Sequence, residues 1–389
     1  MAAVLLAALG GGIWYFLKND SSEEGLPSSA LGAGRRLSNN KCSGEGPGTL
    51  THLPMDLADF SIIIPYGLMI GGHVTPIDHQ YYSPMVFNSP RDTYPVYAMA
   101  DSRLVDIQPR DTDRGREYRM VFSMTCTFLY YYDLVTSLGP DIQTAYENQG
   151  FGGLDLEVKG GQLIGRIGGQ TLDFAVWDTT KLLIGFVNPD SYQAENWKIY
   201  TADPLDYVTA QIKEKMLAKY IRTVEPRSGK IDHDIDGRLI GSWFLEGSNG
   251  YAGSGGTQNQ NYAAGHLSIS PEHIDPTAFL VSFGNYQGQP QQFSISRSAP
   301  SPAEVSVETG LVKYALIGWQ YLEGNTGRFW DRTSFPSVLP LTVVNRGFPS
   351  QGCVLFQLVE DRQLKMEAFP NQSCSAVSAF TSAANFYER

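Results

Sequence analysis

A short acidic segment near the middle of the chain has the spacing of a calcium-binding loop. Asp232, Asp234 and Asp236 alternate with other residues and are followed by Gly237, which is the D-x-D-x-D-G pattern of such loops. The last position of the loop would be Trp243, where calcium requires a bidentate glutamate. The three aspartates are therefore calcium candidates, and the alternative is a polar β-turn that uses the Asp-Gly pair.

A second candidate site lies in a loop rich in aromatic residues and arginines. Residues 321–336 include Arg328, Phe329 and Trp330, with further aromatic side chains on either side. Aromatic faces beside arginines can stack on sugars, so these three residues are candidates for binding a carbohydrate. The alternative is that they cover the edge of a hydrophobic core.

Three segments of the first half of the chain follow one another in a characteristic order. They are residues 71–79 (GGHVTPIDH), 94–105 (YPVYAMADSRLV) and 158–168 (VKGGQLIGRIG). In order and spacing they resemble the lysostaphin-type zinc endopeptidases, a family that cuts peptide cross-bridges of bacterial cell walls. The resemblance covers about residues 60 to 200. It implies an antiparallel β-sheet domain that contains the duplicated hybrid motif of this family.

The resemblance also implies where a metal ion would bind. His73 and Asp78 match the family's G-x-x-H-x-x-x-D element with one additional residue between them, and Asp173 stands where the family has its third ligand. His79 is an alternative ligand if the additional residue shifts the register. A site of one imidazole and two carboxylates favours harder ions than zinc, such as manganese or magnesium. The alternatives are that His73 is a turn residue and that Asp173 lies on a solvated strand face.

The two remaining histidines of the family are replaced in this chain. Thr171 and Asp133 stand at the corresponding positions. Threonine cannot exchange a proton near neutral pH, and Asp133, the candidate catalytic base, would place a negative charge beside a developing oxyanion. Whether the chain is an enzyme therefore stays open, and the substitutions favour a non-catalytic domain.

These substitutions favour a protein that binds or scaffolds at the cell surface, with a cell-envelope polymer or a surface protein as its partner. The alternative is an active metallopeptidase that hydrolyses cell-wall peptide cross-links with one divalent metal, which would be zinc. Apart from that metal and the candidate calcium ion, we expect no cofactor. The chain has 29 Lys and Arg against 40 Asp and Glu, and this acidic balance argues against nucleic acid as a partner.

The elements that position these residues are predicted to be mainly strands. Charged residues make up only 18% of the chain, while Gly, Tyr and Phe are plentiful, which favours strands and turns. We predict a lysostaphin-like sheet domain over residues 56–222 and a second all-β domain, a barrel or a sandwich, over residues 223–389. A connecting helix is predicted from Asp203 as N-cap, with an apolar stripe of Leu205, Val208, Ile212, Met216 and Tyr220.

The N-terminal region indicates export. Residues 2–17 carry no charge, and the stretch that follows is polar and rich in Ser, Gly and Pro. We predict a membrane anchor or signal segment over residues 1–18 and a flexible linker over residues 19–55, with a buried helix as the alternative for the first. The protein is therefore expected to be membrane-anchored or secreted, outside the cytoplasm. In an oxidising compartment Cys353 and Cys374 could form a disulfide, although unpaired thiols are an equal alternative.

Overall fold

A computed structural model describes residues 29–149, 153–256, 259 and 261–389. It confirms the predicted fold class: the chain is mainly β, with antiparallel sheets in the first half and a closed barrel of eight strands in the second. The predicted anchor or signal segment, residues 1–18, lies outside the described residues. Within the described ranges, none of the helices has the length and apolar character needed to span a bilayer.

The first half is built on one large sheet and one small sheet. The large sheet has the strand order β1-β2-β10-β6-β5-β4-β8, with β11 paired to β10, and the small sheet has the order β3-β9-β7. The helices are α1 (Ala30–Leu37), α2 (Pro140–Gln149) and α3 (Ala210–Leu217). The strands are β1 (Phe60–Ile64), β2 (Gln80–Pro84), β3 (Tyr94–Tyr97), β4 (Ser102–Thr112), β5 (Gly115–Ser123), β6 (Phe128–Val135), β7 (Ser137–Leu138), β8 (Leu156–Val158), β9 (Leu163–Ile167), β10 (Leu172–Asp178) and β11 (Thr201–Ala202).

The central strand β6 explains how this sheet is packed. Every residue of its sequence, FLYYYDLV, is buried, so both faces of the sheet are covered. Successive side chains of a strand point to opposite faces. Tyr130 and Tyr132 accordingly pack into the core under the sheet, whereas Leu129 and Tyr131 pack into a second core that also contains Phe244 from the other half of the chain. The two halves are thus joined by a shared hydrophobic core.

The second half is a barrel, which decides between the two predicted architectures. Its strands close in the order β12-β13-β14-β15-β16-β19-β20-β21, and β17 pairs with β18 outside the barrel. The strands are β12 (Gly241–Leu245), β13 (His266–Pro271), β14 (Phe279–Tyr286), β15 (Gln289–Ser294), β16 (Val312–Ile317), β17 (Gln320–Glu323), β18 (Leu341–Val344), β19 (Ser350–Glu360), β20 (Gln363–Pro370) and β21 (Asn385–Glu388).

Large side chains fill the barrel. Trp243 is fully buried and donates from Nε1 to the carbonyl oxygen of Leu239 at 2.9 Å. The guanidinium of Arg389 lies 4.0 Å from the centre of the Trp243 ring and donates to the carbonyl oxygen of Ile240 at 2.7 Å. Because an eight-stranded barrel is just wide enough for side chains to fill, this interior is a packed core.

The predicted connecting helix is divided into two pieces. Asp203 caps a 3₁₀ turn, Pro204–Asp206, by accepting a hydrogen bond from the backbone of Leu205 at 2.9 Å. The chain then leaves the helical path because Val208 forms a parallel β-bridge with Leu50. Only after this bridge does α3 begin. The backbone groups between the two pieces therefore bond to a distant segment rather than to each other.

Part of the predicted linker is packed against the large sheet. Residues 29–55 include α1 and the fully buried side chains of Leu50 and Met55. A disulfide between Cys42 and Cys126 ties this segment to the loop before β6. The structure differs from the flexible linker expected for these residues. Although the segment is mostly polar, it contains a few apolar side chains that pack into the core and a cysteine whose disulfide partner lies far along the chain.

Gly34 is expected to be essential for the docking of α1. A Cβ atom at this position would lie 1.6 Å from the carbonyl oxygen of Cys126. We expect Gly34→Ala to displace α1 and to destabilise the protein by about 1–3 kcal/mol, as overpacking does. Calorimetric melting checks this, with Gly72→Ala as the control because its Cβ would meet open space. Equal melting temperatures for the two variants would contradict the prediction.

Glu272, which follows β13, gives a prediction about pH. Its buried carboxylate accepts hydrogen bonds from the backbone of Ile274 and Asp275 at 2.9 and 2.8 Å and from the Tyr321 hydroxyl at 2.6 Å. Burial alone would raise the pKa of Glu272, but the neighbouring His273 and these hydrogen bonds lower it from 4.5 to about 2. The stability that this carboxylate contributes is therefore complete above pH 4.5 and is lost as the pH falls toward 2.

We accordingly expect Glu272→Gln to lower the free energy of unfolding at neutral pH by about 1–3 kcal/mol, because a buried hydrogen-bond network loses its charged acceptor. Urea unfolding at pH 7 and near pH 3 measures the difference from the wild type. That difference should shrink at the lower pH, since the stability that the ionised carboxyl contributes to the wild type is then being lost. A difference that is the same at both pH values would show that the charge of Glu272 does not matter.

Candidate functional site

Two of the predicted site residues lie side by side on the large sheet. Asp133 in β6 and Asp173 in β10 are direct cross-strand partners, and Tyr81 in β2 lies opposite Asp173 on its other side. Residue alternation places Asp133 on the same sheet face as Tyr131 and Leu129, which is the face that packs toward the barrel. The site therefore lies between the sheet and the second half of the chain.

The loop before β2 supplies the predicted histidine and the first aspartate. Ile70 and His73 exchange two backbone hydrogen bonds across Gly71 and Gly72, at 3.1 and 2.9 Å. Gly71 has a φ of +52°, which glycine adopts at little cost, so this tight turn needs glycine there. The turn brings His73 above the sheet, with its ring centre 6.4 Å from that of His79. Burial lowers the pKa of His73 to about 3, so its imidazole is neutral.

Asp78 is buried and both of its carboxylate oxygens have partners. Oδ2 accepts a hydrogen bond from the indole of Trp197 at 2.8 Å, and Oδ1 accepts one from the ammonium of Lys198 at 2.9 Å. The same ammonium lies 3.4 Å from Glu195. Burial by itself would raise the pKa of Asp78, but Lys198 and His79 outweigh it and hold the pKa well below its ordinary value. Asp78 is thus an ionised carboxylate with a cation already beside it.

Asp173 lies beside the imidazole of His79. Its Oδ2 lies 3.3 Å from Nε2 of His79, and its Oδ1 accepts a hydrogen bond from Thr171 at 3.2 Å. Burial and the neighbouring Asp133 raise the pKa of Asp173 to about 7, against the opposing effect of His79. Burial would lower the pKa of His79, but the carboxylates of Asp173 and Asp78 raise it. The imidazole of His79 therefore connects the two aspartates.

Asp133, the candidate catalytic base, is held by an arginine. Arg110 from β4 donates two hydrogen bonds to its carboxylate, at 3.0 Å to Oδ2 and 2.5 Å to Oδ1. The backbone of Leu134 donates a further bond to Oδ1 at 2.6 Å. A bidentate arginine pair is a strong and directional interaction. It stabilises the charged carboxylate and occupies the oxygens with which a base would take a proton.

The predicted metal ligands do not form a metal-binding group in this arrangement. Across the described ranges, no three His, Cys, Asp or Glu side chains converge as ligands of one ion. Asp78 bonds to Lys198 and Trp197, and Asp173 faces Nε2 of His79, whose Nδ1 lies 3.6 Å from Asp78. An ammonium at 2.9 Å from Asp78 takes the space and the charge that a metal ion would need. The three residues His73, Asp78 and Asp173 therefore do not fit a divalent metal here.

Sequence reasoning missed the cations of this site. Lys198 lies in the segment NWKIY, where a lysine is flanked on both sides by apolar and aromatic residues. That setting is a signal of a buried charge, since a solvated lysine needs no such neighbours. Arg110 lies in the charged end of a strand, and no local pattern indicates that it reaches Asp133.

The calcium candidates are separated from one another by their own partners. Asp232 accepts a hydrogen bond from the backbone of Gly185 and pairs with Lys230, and Asp234 accepts one from the backbone of Ser242 at 2.8 Å. Asp236 forms a bidentate pair with Arg362, which lies in the turn before β20. Each of the two hydrogen bonds is 2.8 Å long. Three carboxylates that point to three different partners do not fit a calcium ion.

The aromatic loop is only partly at the surface. Trp330 is buried against Tyr321, with ring centres 5.7 Å apart, and donates to the carbonyl oxygen of Ser334 at 2.7 Å. Phe329 is 54% exposed, and Arg328 pairs with Glu323 at 3.0 Å. Trp330 therefore covers a core edge, while Phe329 and Arg328 remain available at the surface.

Solved structures with partial likeness to this chain include two of Helicobacter pylori Csd3. The structure from the hexagonal crystal is 16% identical, with a TM-score of 0.25, and the match covers 42% of this chain and 34% of that one. For the orthorhombic crystal the identity is 17%, the TM-score is 0.25 and the coverage is 44% and 40%. The match spans less than half the length of these proteins.

No family model matches the chain, and no curated protein matches it.

Proposed function

We propose that this protein works outside the cytoplasm, tethered to the membrane, and uses a degenerate lysostaphin-like domain to bind or scaffold at the cell surface rather than to hydrolyse. One observation carries the proposal: both oxygens of the buried Asp78 are bound, by Lys198 and by Trp197. In a catalytic zinc site such a carboxylate would be a ligand, and the metal would keep an open position for water. Here a side-chain cation takes that place.

The groups that would have to move a proton are also engaged. Thr171 donates to Asp173, and Asp133 is held by Arg110 in a bidentate pair. Hydrolysis at neutral pH needs an acid or base that can exchange its proton with the substrate or with water. Both carboxylate oxygens of Asp133 accept hydrogen bonds from the guanidinium, so the pair holds this side chain in a fixed orientation. This arrangement favours binding over catalysis.

The barrel half covers the face on which the site lies. Gln292 from β15 accepts a hydrogen bond from the backbone N–H of Gly71 and donates one to its carbonyl oxygen, both at 3.0 Å. Tyr251, also from the second half, lies against Lys198 with its ring centre 5.0 Å from the ammonium. The two Gln292 hydrogen bonds hold the His73 loop against the second half of the chain. They support a rigid binding unit made of both halves.

Two disulfides support a location outside the cytoplasm. Cys42 pairs with Cys126, and Cys353 pairs with Cys374, so the described chain has no free cysteine. Disulfides form and persist in oxidising environments and are rare in the cytoplasm. With the uncharged segment of residues 2–17, this favours an exported protein, and the partner we propose is a cell-envelope polymer or a surface protein.

The proposal is tested on the purified full chain. We expect no stoichiometric divalent metal by mass spectrometry, no cleavage of peptidoglycan cross-bridge peptides, and retention on isolated cell-envelope material in a sedimentation assay. The variants His73→Ala and Asp173→Ala are expected to leave that retention unchanged. Cleavage of cross-bridges, together with stoichiometric metal that both variants lose, would establish the metallopeptidase instead. Absence of any retention would refute the binding role.

A further inference from the structure

The loop that follows β10 presents two apolar side chains to solvent. Leu182 is 49% exposed and Ile184 is 89% exposed, whereas Leu183 between them packs against the core shared by the two halves. The backbone N–H of Leu183 also donates to the carbonyl oxygen of Ile199 at 2.8 Å. Since the loop is fixed at Leu183, the exposure of its two neighbours is built into the fold.

A second segment extends this apolar surface. The carbonyl oxygen of Gly185 accepts a hydrogen bond from the backbone N–H of Asp234 at 2.9 Å, so the two segments lie side by side. Ile235, the next residue, is 46% exposed. We call Leu182, Ile184 and Ile235 the apolar face. Single exposed apolar residues are common, but a group of them at one place indicates a contact surface.

The charged side chains around the apolar face are sorted by sign. Within residues 29–41, 178–187 and 229–235, the acidic side chains are buried and the exposed charged side chains are basic. The buried acidic residues are Asp178, Asp232 and Asp234, and the exposed basic residues are Arg35, Arg36, Lys181 and Lys230. In a chain with 29 Lys and Arg against 40 Asp and Glu, this local positive charge suits an anionic surface.

The first residues of α1 lie against the same loop. The hydroxyl of Thr179 donates to the carbonyl oxygen of Ala30 at 2.7 Å. The predicted anchor ends at position 18, and positions 18 and 29 are eleven residues apart. Even a fully extended chain of that length spans no more than about 40 Å. A bilayer that holds the anchor is therefore always within reach of the apolar face.

We propose that the apolar face docks on an anionic lipid bilayer, with Leu182 and Ile184 entering the headgroup region and with Arg35 and Lys181 beside anionic headgroups. Apolar side chains flanked by lysine and arginine are typical of surfaces that lie in the interface of a membrane. The inference rests on the membrane tether of the proposed function, and it adds which side of the protein faces the bilayer.

The experiment detects lipid contact at single positions of the full chain. Both disulfides together use all four cysteines of the sequence, so one introduced cysteine takes one label. Ile184→Cys receives an environment-sensitive fluorophore, and the protein is added to vesicles of phosphatidylcholine and phosphatidylglycerol. We expect the emission to shift to the blue and to be quenched by doxyl-labelled lipid. Because Ile184 is 89% exposed, this variant should melt with the wild type.

Phe329→Cys is the matched control, since Phe329 is 54% exposed but lies at the other end of the large sheet. The carbonyl oxygen of Thr333, in the same loop, is 3.4 Å from the hydroxyl of Ser61 in β1, and that hydroxyl is 3.4 Å from the carbonyl oxygen of Ser83 in β2. Strand β2 pairs with the first residues of β10, whereas the docking loop follows its last residue. A label at position 329 should show neither the shift nor the quenching.

The role of charge is tested by adding Arg35→Gln and Lys181→Gln to the labelled Ile184→Cys chain. We expect the ratio of docked to undocked protein, obtained from the blue-shifted part of the emission, to fall roughly fivefold for each charge removed, as for other basic residues near an anionic surface. Vesicles of phosphatidylcholine alone should lower the ratio in the same direction. A ratio that changes in neither case would overturn the inference.

The labels also separate the other outcomes. Equal quenching at positions 184 and 329, or none at 184, would overturn the inference. A blue shift without vesicles would place a second copy of the chain on the apolar face, and would overturn it as well. Flotation of the same vesicles reports the tether: protein that floats without quenching at position 184 contradicts only the docking, whereas protein that does not float contradicts the tether and the docking together.

Discussion

Replacing Arg110 with methionine is expected to destabilise the protein by about 3–5 kcal/mol, because it leaves a buried carboxylate without its partner. Arg110 and Asp133 are both largely shielded from water and share two hydrogen bonds. Arg110 also lies 4.0 Å from the buried Glu117. Asp173 is the cross-strand neighbour of Asp133, and the positive charge of Arg110 also offsets the repulsion between these two acidic groups. Chemical denaturation at neutral pH measures the loss.

Arg103→Met is the matched control for this prediction. Arg103 lies on the same strand and pairs with Asp155 at 2.7 Å, but both side chains are more than a third exposed. Exposed pairs of this kind contribute between zero and about 1 kcal/mol. The double variant Arg110→Met, Asp133→Leu should recover much of the stability, since it removes both charges. A loss no larger for Arg110→Met than for Arg103→Met would show that the buried pair contributes little.

The disulfide between Cys42 and Cys126 is expected to contribute the second large effect. It closes a loop with a sequence separation of 84 residues, and the chain-entropy relation assigns such a loop about 4–5 kcal/mol. The double variant Cys42→Ala, Cys126→Ala should therefore unfold at a markedly lower denaturant concentration than the wild type. The segment from α1 to Cys42 should also become sensitive to protease, because this disulfide ties it to the sheet.

The second disulfide provides the comparison. Cys353 and Cys374 are separated by 21 residues, for which the same relation gives about 3 kcal/mol. The variant Cys353→Ala, Cys374→Ala should thus cost less than the first pair. Unfolding of both variants in urea without reductant measures the difference. The reverse order, or no loss for Cys42 and Cys126, would indicate that native packing rather than chain entropy controls these effects.

Much of the secondary structure could be predicted from local sequence. The run FLYYYDLV of β6 is rich in aromatic residues and can be read as a strand, and the glycines indicate turns. The barrel could be named only as one of two architectures, because alternating strands are compatible with either a barrel or a sandwich. The connecting helix was predicted as one element, and it is divided because Val208 pairs with Leu50, a residue that no helical pattern includes.

In the candidate site, too, the sequence determines some features and the tertiary structure determines others. The sequence by itself determined which residue types are present: Asp133 and Asp173 in strands, and His73 and Asp78 in a glycine-bearing loop. The tertiary structure alone decided their partners. Lys198 is 120 residues from Asp78, and no spacing rule links two positions that far apart.

The physical reason is the distance along the sequence between the residues that interact. Strand and turn preferences arise from contacts among neighbouring residues, so they can be read from a short window. The charge that a buried carboxylate meets depends on which strands pair, in which register, and on what the second half of the chain places over the sheet. That Asp78 faces an ammonium is therefore decided by the packing of the segment Lys198–Tyr200 over the sheet, with Tyr251 of the second half against Lys198.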